Sequence, residues 1–247
     1  MLKDFIYMLL QWPNMVFLLC LSSCIPDVNA ACQANHGIYP PMPKTVVESK
    51  QVIPKGWHLV TWADGDLDKD GVADRAMVID RTKAAEEVID FTMDGKPDGS
   101  PVYTYPRMLI ILKGKATCGY GLWVADPFLL DRKNDRDATS EDQETRLQLS
   151  AGRLHIAYLP IHGHWDVTFL LTPKNAFKLA RFEGLDGDAS SIEKVSIDFA
   201  KGVKTVEQSS DGQKSHAKTI TTKFHAAHDY YLGEYCLNTV VMTSIPD

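Results

Sequence analysis

The stretch Trp62 to Asp80, WADGDLDKDGVADRAMVID, constrains the fold more than any other part of the chain. It places Asp64, Asp66, Asp68, Asp70 and Asp74 within eleven residues and then passes directly into an apolar run. Five like charges this close repel one another unless a cation lies among them, and the flanking GWHLVTWA and RAMVID read as strands. The expected unit is a strand–loop–strand hairpin closed around a metal ion. Numbered from Asp66, carboxylates fall at positions 1, 3, 5 and 9, with Gly71 at position 6.

Calcium takes about six to eight oxygen ligands at ~2.3–2.6 Å, and a tight loop supplies them by turning alternate side chains inward. Val72 at position 7 adds a backbone carbonyl, and the preceding glycine permits the sharp bend. An EF-hand needs a glutamate at position 12, where this chain has Met77. The expected ligands of a structural calcium are therefore Asp66, Asp68, Asp70, the Val72 carbonyl and Asp74.

The rest of the chain repeats short strands punctuated by turns. RMLIILKG is a continuous apolar run of the length of a buried strand. LQLSAGRLHIAYL alternates about a Ser-Ala-Gly turn, as a hairpin does, and WDVTFLLTP and AFKLARFEGLD extend the meander. SIEKVSIDFAKGVKTVEQ breaks at Lys201-Gly202 into two further strands, and SHAKTITTKF follows. DFTMDGKPDGSPVYTYP and RKNDRDATSEDQETR read as loops. Helical periodicity is confined to TKAAEEVIDF and the residues near Ala226. The expected fold is mainly β, an antiparallel β-sandwich or open barrel with few short helices, in one domain over residues 51–247. Residues 31–50 read as a Pro-rich arm. No internal repeat accompanies the acidic loop, so a propeller is not expected.

Residues 1–30 have the layout of an export signal, with MVFLLCLSSC as a short apolar run ending in small residues. Lys3 is the only cation of the first fourteen residues and Asp4 offsets it, so translation from Met8 or Met15 is an alternative start. LSSC, Leu21 to Cys24, resembles a bacterial lipobox, in which Cys24 is lipidated and becomes the N-terminus. VNA before Ala31 fits ordinary signal peptidase, and both cleavage sites stay open. Either leaves Cys32, Cys118 and Cys236, from which an oxidising compartment forms one disulfide and one odd thiol. Cys118 with Cys236 and Cys118 with Cys32 are equally compatible. The expected location is the periplasm, or the outer membrane through a lipid anchor, of a Gram-negative bacterium. The formal charge of -6 argues against a nucleic-acid partner.

In order along the chain stand IPKGWHLVTWADGDLDKDGVADRAMVI, RMLIIL, DPF, GRLHIAYL, HGHWDVTFLL and LARFEGLD…SIDFAKGVKTVE. Together they resemble a group of exported bacterial proteins that begin with a single FG-GAP-like, integrin-type calcium loop. The resemblance implies export and a single β-rich domain, and it brings no catalytic residues. This chain departs from the group at HGHWD, where small residues are commoner than histidines.

The remaining candidates for chemistry are histidines. His162 and His164 share one face of a strand, and His225 and His228, followed by Asp229, have the spacing of one helical turn. If the pairs met, they would offer nitrogens and a carboxylate to zinc or another transition metal. No H-E-x-x-H or G-x-S-x-G pattern is present, and GYG at 119–121 lacks the Gly-Lys-Ser/Thr of a phosphate loop. Trp123, Trp165, Tyr230 and Tyr231 suit either a sugar- or peptide-binding surface or, more commonly, core packing. The leading expectation is a non-enzymatic envelope protein that binds a macromolecule, for instance an immunity or inhibitor protein against a periplasmic toxin or hydrolase. A metal-dependent hydrolase and a purely structural envelope lipoprotein are the rivals.

Overall fold

A computed structural model describes residues 39–83, 85–88, 101–127, 129–130, 133–134, 144–159, 164–187, 192–209, 217–224 and 229–233. The chain divides into two compact units, Met1–Ala34 and Asn35–Asp247. The export segment, Cys24 and Cys32 lie outside the described residues.

The strands are β1 (Thr45–Val46), β2 (Trp57–Gly65), β3 (Asp74–Arg81), β4 (Ala85–Val88), β5 (Pro101–Tyr105), β6 (Arg107–Gly114), β7 (Tyr120–Asp126) and β8 (Lys133–Asn134). They continue as β9 (Glu144–Ser150), β10 (Arg153–Leu159), β11 (His164–Leu171), β12 (Phe177–Gly187), β13 (Ile192–Asp198), β14 (Val203–Ser209) and β15 (Lys218–Lys223). A five-stranded antiparallel sheet runs β1-β7-β6-β3-β2. A seven-stranded one runs β15-β14-β13-β12-β11-β10-β9 as an unbroken meander. They form the expected β-sandwich. Its core joins Ala76, Val78, Leu109 and Ile111 of the first sheet to Leu154, Ile156, Val167, Phe169 and Leu179 of the second.

The two sheets differ in sequence because they differ in burial. On β9 and β10 polar and apolar residues alternate, since one face meets the core and the other meets solvent. On β3 and β6 the apolar run is continuous because both faces are covered. The second face, carrying Met77, Ile79, Met108, Ile110 and Leu112, packs under Tyr39, Met42, Val46, Val52 and Ile53. Of the segment read as a Pro-rich arm, residues 39–50 are described and pack against this sheet. This stretch adds β1 to the edge at β7 and a 3-10 turn, Ser49–Val52, whose Gln51 Oε1 accepts from the Val47 and Glu48 amides.

Three local expectations are corrected. TKAAEEVIDF, with helical spacing, supplies β4, whose residues pair with β5 as Glu86↔Tyr103 and Glu87↔Val102. PVYTY, expected within a loop, is β5 itself. Cross-strand pairing outweighs a short helix's propensity, since an isolated turn or two gains little. Lys133–Asn134, also placed in a loop, completes this three-stranded sheet, β4-β5-β8. The residues near Ala226 lie outside the described ones.

Arg107 and Asp80 face each other across β6 and β3, both almost wholly buried. Arg107 Nε and Nη2 donate to the two Asp80 carboxylate oxygens at 2.7 and 2.9 Å, and its guanidinium lies over the Tyr158 ring at 5.9 Å. A buried ion pair adds little over an apolar pair, but removing one partner strands a charge. Arg107→Ala is expected to cost about 3–5 kcal/mol in urea unfolding, and Arg107→Met with Asp80→Leu markedly less.

Candidate metal centre

The β2–β3 hairpin pairs Gly65 with Asp74, so Asp66–Ala73 form the loop between them. Its first acidic side chains fold the backbone back on itself. Asp66 accepts from the amides of Asp70 at 3.1 Å and Gly71 at 2.9 Å, and Asp70 Oδ1 accepts from the Val72 amide at 2.9 Å. Gly71 lies at φ +83°, a backbone conformation that side-chain-bearing residues rarely adopt, which accounts for glycine at this point of the bend.

This folding brings carboxylate oxygens of Asp66, Asp68 and Asp74 within 4.8 Å of one another. Two calcium–oxygen bonds of ~2.4 Å laid end to end reach about that distance, so one cation fits among the three. Among the described residues this is the group with that convergence. Asp70 stands apart, its Oδ2 3.5 Å from Lys113 Nζ. Asp64 is engaged elsewhere, in a two-point pair with Arg75 at 2.6 and 2.7 Å.

Asp74 is fully buried. Its oxygens accept from the Leu67 amide at 2.8 Å and the Gly114 amide at 2.9 Å. Burial nonetheless pushes its carboxyl above the usual carboxylate range, with the nearby Asp68 and Asp70 adding to the rise and the two amides opposing it. A carboxylate that is desolvated and beside like charges is where a divalent cation is most favourable. Gly114 is needed for this contact, because a Cβ there would collide with the Ala73 carbonyl oxygen.

Lys113, the neighbour of Gly114, is a residue at this loop that the sequence does not point to. Its ammonium pairs with Asp68 and stands 5.5 Å over the Trp123 ring. The hydrogen bond from Lys113 holds the Asp68 carboxyl below its ordinary value, and that from Asp68 raises the lysine. Lys113 ends the apolar run RMLIILK, and nothing in that run signals a partner 45 residues upstream.

The histidine cluster is only partly described. His164 opens β11, with Nε2 3.8 Å from Asp166 Oδ2, while His162, His225 and His228 lie outside the described residues. The residue joining His164 at Asp166 is His155 of β10, with Nε2 3.3 Å from Oδ1 and Nδ1 3.3 Å from Thr168 Oγ1. Cys118 is an exposed free thiol between β6 and β7, and Cys236 lies outside the described residues. Trp123 packs on Phe177, Trp165 on Tyr158, and Tyr230 is in the core, so these three follow the packing alternative. Tyr231 hydroxyl donates to Asp229 at 3.4 Å.

No family model, curated protein or solved structure matches the chain.

The loop is fastened to the sandwich at Leu67, its one large apolar residue besides Val72. Leu67 is fully buried in the core, and its carbonyl accepts from the Gly152 amide of the β9–β10 turn at 2.7 Å. Leu67→Ala is expected to lower stability by about 2–5 kcal/mol in urea unfolding, the cost of a core leucine, although it lies in an acidic surface loop by sequence.

Proposed function

We propose that the protein is an exported cell-envelope protein with one FG-GAP-like calcium loop, acting by binding another macromolecule. What carries the calcium part is the convergence of Asp66, Asp68 and Asp74, one of them fully buried, at the mouth of a hairpin. The ion's role is structural. It neutralises the crowded carboxylates and holds β2 and β3 together at the end where their pairing stops, with Asp70 and the Val72 carbonyl as further oxygens within the same loop. The binding role is supported by apolar side chains that a lone domain leaves in water: Trp62, Val47 and Leu59 on the outer side of the smaller sheet. Export, with cleavage before Cys24 or Ala31, supplies the calcium, and the partner belongs to the same compartment. An immunity or inhibitor protein against a toxin or wall hydrolase is one form of this role.

In this account Lys113 is the counter-charge of the calcium-free loop. Calcium and the ammonium then compete for Asp68 and Asp70. Two measurements test the reading. Calcium at about a hundred times its dissociation constant should raise the melting temperature by roughly 5–10 °C over chelator. Asp68→Ala with Asp70→Ala should abolish that difference, and an equal difference in the variant would sink the calcium assignment. Lys113→Gln should melt lower in chelator yet bind calcium more tightly by calorimetry; weaker calcium binding would mean that the lysine supports the site rather than competing for it.

A further inference from the structure

The outer face of the five-stranded sheet is covered by residues 39–53 only in part. Beyond the 3-10 turn Ser49–Val52 lies an open cleft of about 530 Å³, within the ~300–1,000 Å³ range of small-molecule sites. Its apolar wall is made by Val47, Ile53, Leu59, Trp62, Met77 and Tyr120. Trp62 sits mid-strand on β2, directly opposite the buried Met77, yet remains 56% exposed. Trp123 and Trp165 pack against the core and Trp57 is buried, so Trp62 is the described indole that meets solvent most fully.

The polar side of the cleft is already arranged. Arg75 is held from three directions: by both oxygens of Asp64, by Ser49 Oγ at 2.5 Å, and by the Tyr120 ring 5.9 Å from its guanidinium carbon. On the rim Lys50 pairs with Glu48 at 2.7 Å, and Gln51 fixes the backbone that carries them. Both cations of the cleft thus stand on carboxylates, and the four charges sum to zero. An anion would meet the carboxylates of Asp64 and Glu48 beside both cations, and a wholly apolar chain would strip water from charged groups without replacing it. A neutral ligand with many hydroxyls meets neither obstacle, because each hydroxyl both donates and accepts. A sugar ring also carries an apolar C–H face that lies flat on an indole.

We infer that this cleft binds a neutral saccharide, stacked on Trp62 with its hydroxyls bonded along Arg75, Ser49 and the Glu48–Lys50 rim. This rests on the reading of the chain as a binding protein and narrows its partner to a glycan. Arg75 is held by Asp64, Ser49 and Tyr120 before the ligand arrives, so little ordering of that side chain opposes binding. Asp64 and Arg75 also adjoin the acidic loop, and the hairpin that presents Trp62 is the one the loop closes.

The test is calorimetric titration of the mature full-length chain with chitotetraose, cellotetraose and maltotetraose, and with tetra-alanine as a peptide control. Saturable binding of at least one oligosaccharide is expected, weakened roughly tenfold or more by Trp62→Ala and partly restored by Trp62→Phe. Trp62→Phe keeps an aromatic ring at this half-exposed position and should melt close to the parent, so a loss of binding in Trp62→Ala is read against it. The inference is overturned if no oligosaccharide binds up to about 10 mM, if Trp62→Ala binds equally well, or if tetra-alanine binds in a Trp62-dependent way. Retention of the chain by purified envelope proteins, with every oligosaccharide silent, overturns the saccharide assignment alone. Retention by neither envelope proteins nor cell-wall glycan overturns the binding role as well.

Discussion

Leu67 is the point at which the acidic loop and the two sheets are joined. Its side chain fills the core, its amide donates to the buried Asp74 carboxylate, and its carbonyl accepts from Gly152 in the turn of the larger sheet. Asp74 in turn accepts from Gly114 at the end of β6. One buried carboxylate and one buried leucine therefore tie β2, β3, β6 and the β9–β10 turn together. A loop with this many aspartates would otherwise be pushed open by its own charge. The fastening lets the remaining carboxylates be presented close together without the loop coming away from the domain.

The same hairpin has two faces with different consequences. Toward the larger sheet it contributes Ala76 and Val78 to the main core. Away from it, Met77 and Ile79 are roofed by the N-terminal segment, and where that roof ends Trp62 and Arg75 are left at the surface. Another buried aspartate, Asp126, plays a part like that of Asp74 elsewhere, accepting from the amides of Leu129 and Gly233. At both places a short acidic side chain satisfies backbone amides that no strand partner reaches, which is what permits irregular chain to be buried. The proposed calcium and the proposed glycan cleft occupy neighbouring parts of one hairpin, so holding its loop also holds the platform.

The acidic loop itself is legible because its aspartates and glycine are neighbours in sequence. Asp66, Asp68 and Asp74 converge, while Asp70 turns toward Lys113. Lys113 and Gly114 were not legible: their partners are about 40 residues away in sequence and adjacent only across β3 and β6. Trp62 belongs by sequence to an apolar strand, and its exposure follows from where the covering segment stops. His155 is likewise a neighbour of His164 only through the pairing of β10 with β11.

The β class, the hairpin units and the position of the acidic loop are all readable from the sequence. Each of these is a local property, set by period-two alternation, by turn residues and by charge repulsion over a few positions. The tertiary structure is what divides the strands into sheets of five, seven and three, makes Ala85–Val88 a strand in spite of helical spacing, and lays residues 39–53 over one sheet. Those outcomes depend on which apolar faces meet, and a continuous apolar run such as RMLIILK shows that both its faces are buried without saying what buries them.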